Sequence, residues 1–282
     1  MPNGKKISDF SLLKVGHCVH LEAMVLTDAK WKTCQFPSVV GVLRLPQGGY
    51  MLFDTGYAQR FNYVTQSFPQ RFYRWLTPMH LSSEDELHYQ LQSKDIDVSE
   101  VKYIFISHFH ADHIAGIKDF PGAKFVCSKV AYESFICRAG VSALIKGYIR
   151  DLLPEDFEKR VVFIEDTKRV VLSGKLSPFT IAYDLFNDSA YFAIDLPGHA
   201  YGHMGLLSPA MQGSNFLIGD ACWSERAYKK NIKPNRIASI IMSNYESYLC
   251  TLNELSRLHE KNKDINIIPS HCMTTFERHK HE

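Results

Sequence analysis

Short apolar runs separated by turn residues open the chain. Leu12 to Leu26, Val39 to Leu45 and Tyr50 to Phe53 have the composition of strands, and Pro46-Gln47-Gly48-Gly49 supplies a turn between the last two. They predict a meander. At 83–95, Ser83 and Glu86 have the spacing of a capping box ahead of a helical pattern. Val101 to Ile106 then predicts a buried strand. Further strands are predicted at 123–127, 160–164, 180–186, 190–195, 204–208 and 215–218, and helices at 129–138 and 142–152. Ile237, Ile241, Tyr245, Tyr248, Leu252 and Leu255 recur at three- and four-residue spacings, which predicts a long final helix with one apolar stripe. Strand Ile265 to Ile268 follows it.

Strands and helices are mixed through both halves, with no repeat and no Pro/Gly/Ser-rich linker. The pattern predicts one α/β domain over residues 1–282, with sheet layers packed on each other and helices outside. Residues 57–81, YAQRFNYVTQSFPQRFYRWLTPMHL, break the pattern. Dense in aromatics and arginines but without a clean period, they read as an insertion.

Composition narrows the function by exclusion. With 32 basic and 30 acidic residues the net charge is +2, so no global field calls for nucleic acid or a membrane surface. The seven cysteines are scattered and form no C-x-x-C pair, which argues against a disulfide framework or a zinc ribbon. The basic start MPNGKKISDF has no apolar stretch behind it, and no run approaches the length of a membrane span. These features predict a soluble protein of a reducing compartment, the cytoplasm.

The chemistry is concentrated at FISHFHADHIAG, residues 105–116, where an apolar run ends in His108, His110, Asp112 and His113. Imidazole and carboxylate together suit zinc and related divalent ions. In an extended segment His108 and His110 point the same way, and the turn beyond them brings Asp112 and His113 to a neighbouring point. Other apolar runs also end in ligand-type residues: Asp54 in FDTG, His199 in LPGHAYGH, Asp220 in LIGDACW and His271 in IIPSHC.

The order D-T-G, H-x-H-x-D-H, P-G-H, G-D, S-H resembles the metallo-β-lactamase superfamily, specifically its binuclear hydrolase branch, over residues 53–271. The resemblance implies an α/β four-layer αββα sandwich with the site at one edge of two sheets. Carried over by motif, His108, His110 and His199 would hold one divalent ion, and Asp112, His113 and His271 a second. Asp220 would bridge the two, and Asp54 would accept a hydrogen bond from a ligand imidazole. His203 is expected to be a structural neighbour. Zinc leads among the metals, with iron, manganese and cobalt as alternatives.

Such a site implies attack by a metal-bridging hydroxide, with Asp112 orienting water or moving its proton and Asp220 completing the catalytic pair. Length and motif spacing are most similar to the N-acyl homoserine lactonase group, which implies a lactone or carboxylic ester with an apolar moiety as substrate. That group carries a tyrosine three residues after the bridging aspartate, where this chain has Trp223. Tyr228 is a candidate substitute. Phe72 and Trp75, with the other aromatics of 57–81, are candidates for an apolar channel or for a homodimer contact, and Arg60, Arg71 and Arg74 for contact with a carboxylate. A thioester hydrolase, a mononuclear iron oxygenase, a phosphodiesterase and a metal-bearing sensor without turnover are the alternatives.

Overall fold

The computed structural model describes residues 10–172 and 174–280. The basic start over residues 1–9 lies outside the described residues. Among the described residues thirteen strands form two sheets: β1 (Phe10–Leu21), β2 (Thr33–Arg44), β3 (Tyr50–Phe53), β4 (Met79–His80), β5 (Val101–Phe105), β6 (Lys124–Cys127), β7 (Val161–Phe163), β8 (Lys168–Val171), β9 (Ile181–Asp184), β10 (Phe192–Asp195), β11 (Met204–Pro209), β12 (Ser214–Gly219) and β13 (Ile265–Pro269). The first sheet runs β4-β1-β2-β3-β5-β6-β7 and the second β13-β12-β11-β10-β9-β8.

The meander expected at the start is present, since β1, β2 and β3 pair antiparallel in sequence. β3, β5, β6 and β7 are then parallel, as are β12 and β13. Parallel neighbours end on the same edge, so whatever follows them is gathered there.

Period-two alternation explains the layers. In β3, Tyr50 and Leu52 join an apolar cluster with Leu91, Phe120, Phe125 and Phe135 on the outer face. Met51 and Phe53 point the other way and pack with Phe105, Leu206, Leu217 and Ile268 between the two sheets. The outer face of the second sheet is covered by the Tyr245–Lys261 helix through Leu252, Leu255 and Leu258. Fully burying each such side chain is worth roughly 1.5–3 kcal/mol. The result is the αββα sandwich.

Several boundaries differ from the sequence expectation for local reasons. β1 stops at Leu21, and Glu22–Val25 forms a helical turn where a strand to Leu26 was expected. The capping box uses Ser82 and Asp85, one residue earlier than the expected pair. The stripe that suggested a helix from Ile237 is broken at Asn244, whose side chain accepts the Ser247 N–H at 2.8 Å and starts the helix at Tyr245. Residues Arg236–Ile240 form a separate 3-10 turn. The expected 142–152 helix is a short one at Gly140–Ile145 plus a 3-10 turn at Arg150–Leu152. The Glu225–Lys230 and Met273–His279 helices and strand β8 were not anticipated.

The aromatic segment is partly core. Tyr57 and Phe61 are 1% and 0% exposed and belong to the outer cluster of the first sheet. Helices Arg60–Val64 and Gln70–Leu76 follow. Phe68, Phe72 and Trp75 form an edge-to-face triad with centroids 5.3–5.7 Å apart, and each is more than half exposed. Two of the arginines expected to meet a carboxylate substrate are committed internally, Arg60 to the Asp119 carboxylate and Arg74 to the Asn62 carbonyl.

Candidate metal centre

The C-terminal ends of β3, β5, β12 and β13, with the loop after β10, converge on one edge of the sandwich. Asp54 follows β3, His108 to His113 follow β5, His199 follows β10, Asp220 follows β12 and His271 follows β13. All are buried. Two backbone positions make the convergence possible. Gly219, at φ +52°, turns the chain into Asp220, and a Cβ there would lie 2.7 Å from His203 Nε2. Gly198, at φ +129°, sets His199 against the long helix, where a Cβ would lie 2.2 Å from the Tyr248 backbone nitrogen.

The ligand-type atoms fall into two sets, His108, His110, His199 and Asp220 in one and Asp112, His113 and His271 in the other, each with atoms within 4.8 Å of one another. Asp220 spans them. Its Oδ2 lies 3.2 Å from His199 Nε2, while its Oδ1 lies 3.3 Å from His113 Nε2 and 3.1 Å from His271 Nε2. Asp112 Oδ2 is 3.3 Å from His271 Nε2.

Three of the imidazoles are held through Nδ1, which aims Nε2 inward. His113 Nδ1 meets Asp54 Oδ2 at 2.7 Å, His271 Nδ1 meets the Pro37 carbonyl at 2.7 Å, and His108 Nδ1 meets Ser107 Oγ at 2.9 Å. Asp54 also accepts the Ser107 N–H and hydroxyl, both at 2.8 Å, so one carboxylate orients two ligand histidines. Ser107 and Pro37 were not singled out from the sequence. Ser107 sits directly before His108, so a hydroxyl preceding a ligand run was the available signal. Pro37 acts through its carbonyl, which no residue type reveals.

The donor set fits divalent metal. His108 Nε2, His113 Nε2 and Asp220 Oδ1 are buried without a hydrogen-bond partner, a cost that metal coordination removes. The electrostatics of the two sets differ. Burial holds the His108 and His199 imidazoles well below their ordinary range and brings His110 down to about 4, so these three imidazoles are neutral. In the other set burial is outweighed by carboxylates. Asp112, Asp220 and Asp54 raise His113 to about 10, and Asp220 and Asp112 raise His271 well above the usual value.

His203 stands apart from both sets. Its Nε2 accepts the Asp220 N–H at 3.1 Å, and burial lowers it to about 3, which makes it a neutral prop for the aspartate backbone. Trp223 is adjacent, with its indole N–H donating to Asp220 Oδ2 at 2.8 Å and its ring edge-on to His199 at 5.4 Å. Tyr228, the candidate substitute, has its hydroxyl committed elsewhere. It is 3% exposed, and its hydroxyl donates to the Ile267 carbonyl at 3.2 Å within the core.

The family model of the metallo-β-lactamase superfamily matches residues 35–181, more than half of the chain. The chain belongs to that superfamily. Among curated relatives it is similar to the N-acyl homoserine lactonase AttM of Rhizobium radiobacter, 29% identical over 153 residues, 54% of this chain and 53% of that protein. It is also similar to the γ-lactamase MBL2 of Gibberella moniliformis, 26% identical over 118 residues, 42% of this chain and 47% of that one. The chain thus spans about half the length of the curated relatives it matches. Among solved structures, an N-acyl homoserine lactone hydrolase with N-hexanoyl-L-homoserine bound at its catalytic metal centre superposes with a TM-score of 0.71 at 18% identity, covering 97% of both chains. AidC, a dizinc quorum-quenching lactonase, superposes with a TM-score of 0.64 at 14% identity, covering 95% of this chain and 90% of that one. At such identities the superpositions speak for the fold alone, and the fold they share is the αββα sandwich.

Proposed function

We propose that this superfamily member is a binuclear metal-dependent hydrolase that opens a lactone or cleaves a carboxylic ester. The observation that carries the reading is the placement of Asp220, with one carboxylate oxygen facing each ligand set. His108, His110 and His199 would hold one ion, Asp112, His113 and His271 the other, and Asp220 both. Two such ions supply hydroxide from water near neutral pH and polarise the carbonyl under attack. Zinc is the metal that this all-His/Asp set suits, and iron, manganese and cobalt share its ligand preferences.

The chain's own residues do the positioning. Asp54 and Ser107 fix the tautomers of His113 and His108, and His203 and Trp223 fix Asp220 from its backbone and its side chain. Asp112, beside His271, is the carboxylate available to orient water. A lactone is favoured over a thioester or phosphodiester by the AttM similarity. An apolar acyl group is favoured by the aromatic residues of 57–81. We read 1–282 as a single domain of this fold, since the ligands come from both sheets, and its unpaired cysteines favour the cytoplasm.

The test is elemental analysis of protein purified without a metal-binding tag, followed by parallel assays on lactones, alkyl and aryl esters, thioesters and phosphodiesters. About two ions per chain and the highest kcat/KM on a lactone or ester are expected. A single iron with oxygen consumption, or preference for a phosphodiester, would refute the proposal.

A further inference from the structure

Strand β2 runs past the end of its neighbour. It pairs with β3 only over Gly41–Arg44, so the residues before Gly41 are left without a β3 partner. On the other side β1 departs from regular register between Lys14 and His17, opposite Val39 and Pro37. Buried backbone groups released from a ladder need other partners. Here those partners are the loop after β5 and the loop after β13.

Three consecutive residues reach the same ligand set. The Pro37 carbonyl meets His271 Nδ1 at 2.7 Å, the Ser38 hydroxyl donates to the Asp112 carbonyl at 2.7 Å, and the Val39 N–H donates to the Ser270 carbonyl at 2.9 Å. Ser38, Asp112, Ser270 and His271 are all buried. Asp112 follows a strand of the first sheet and His271 a strand of the second, so one tripeptide of β2 ties together two residues that different sheets deliver. Their facing atoms, Asp112 Oδ2 and His271 Nε2, are 3.3 Å apart.

The other set is anchored differently. Among the described residues no hydrogen bond joins Pro37, Ser38 or Val39 to His108, His110 or His199. His108 is held by Ser107, Asp220 by His203 and Trp223, and the His199 carbonyl by the Ser243 N–H at 2.9 Å.

We infer that Ser38 is a positioning residue for the Asp112, His113 and His271 set, its hydroxyl fixing the Asp112 backbone where the carboxylate and the His271 imidazole can hold one ion between them. This rests on the binuclear reading above. Pro37 and Val39 act through backbone atoms, which most substitutions would keep. Ser38 acts through its side chain, so it is the member of the tripeptide that a substitution can remove. Without the hydroxyl the Asp112 carbonyl loses a buried donor, and the loop after β5 is freer to shift against β13. Outer hydrogen-bond partners of metal ligands set affinity in this way.

The test compares wild type with Ser38→Ala, Ser256→Ala and His271→Ala. Ser256 is the control because it too is a buried serine whose hydroxyl donates to a carbonyl, that of Tyr228 at 2.6 Å, in contact with neither ligand set. Each protein is stripped with a chelator and titrated with zinc by calorimetry. The visible absorption of the cobalt-loaded form and the Tm of the metal-free form are also recorded. The zinc class that disappears in His271→Ala marks the set in question. Ser38→Ala is expected to weaken that class about 10- to 100-fold and the other no more than about threefold, and to change the cobalt absorption. Ser256→Ala should leave zinc affinity and cobalt absorption unmoved whatever its Tm. Equal weakening of both classes, unaltered affinity in Ser38→Ala, or the same loss in Ser256→Ala would overturn the inference while the binuclear reading stands. A wild type that takes up a single zinc, or a His271→Ala variant that keeps both classes, would sink the binuclear reading and the inference with it.

Discussion

Trp223 donates its indole N–H to Asp220 Oδ2 at 2.8 Å, placing a buried, rigid donor on the one carboxylate that faces both ligand sets. The tryptophan thus occupies the position expected of a substrate-binding tyrosine and acts on Asp220 instead. Outer hydrogen-bond partners of this kind tune metal affinity. Trp223→Phe keeps the ring and removes the donor, so its metal affinity is expected to fall about 10- to 100-fold. Competition with a chelator, monitored by residual metal, checks this, and an unaltered affinity would show that the bond does not restrain Asp220.

Asp220 itself is the most demanding position. Without its carboxylate, two neighbouring cations would repel each other across a site that has lost its shared anion. Asp220→Ala is expected to retain at most one ion and to lose roughly 10³-fold or more in turnover. Cys222→Ala, two residues on in the core, should by contrast keep both ions. Full metal content in the Asp220 variant would place the bridge elsewhere.

Proton competition should separate the two sets. His113 is raised to about 10 and His271 lies well above its ordinary value, so near neutrality each holds a proton that must leave before its nitrogen can bind a metal. His110, at about 4, and the lowered His108 and His199 carry no such proton. Affinity at the Asp112, His113 and His271 set should therefore rise with pH, by up to about tenfold per unit for each proton displaced. Acidification from pH 8 to 6 should strip this set first. Titrations in buffers of different ionisation enthalpy would register the released protons, and equal pH dependence at both sites would contradict the assignment.

Backbone geometry offers a test independent of metal. A methyl at Gly198 would meet the Tyr248 nitrogen at 2.2 Å in a conformation, φ +129°, that side chains avoid. Gly198→Ala should cost roughly 2–4 kcal/mol. A fall in Tm of roughly 5–15 °C is expected, read by circular dichroism.

What the sequence disclosed follows from the kind of signal each feature leaves. The residues that the structure gathers into the two sets were legible because each is a distinctive residue ending an apolar run, and parallel strands deliver their ends to a common edge. The strand at Tyr50 to Phe53 was legible from its apolar composition and the turn before it, whereas the faces its residues take came only with the structure. The Ile237 stripe misled because Asn244 caps a new helix inside it, and side-chain capping outweighs apolar period over so short a stretch. Tyr73 and Phe72 are adjacent aromatics with similar local signals. Only the docking of their helix on Phe61 separates Tyr73, packed on the outer cluster of the first sheet, from Phe72, which faces solvent.

The same docking leaves the Phe68, Phe72 and Trp75 triad on the open side of the helix that carries Tyr73. A substrate acyl chain that reaches this helix would cover that exposed apolar surface. Each methylene that it covers is worth up to ~0.8 kcal/mol. The expected result is that kcat/KM rises with acyl length, and that Trp75→Ala flattens the rise while sparing the shortest substrate. A slope that survives Trp75→Ala, together with a change in oligomeric state by light scattering, would assign the triad to contact between copies of the chain, since aromatic side chains are also enriched at such interfaces.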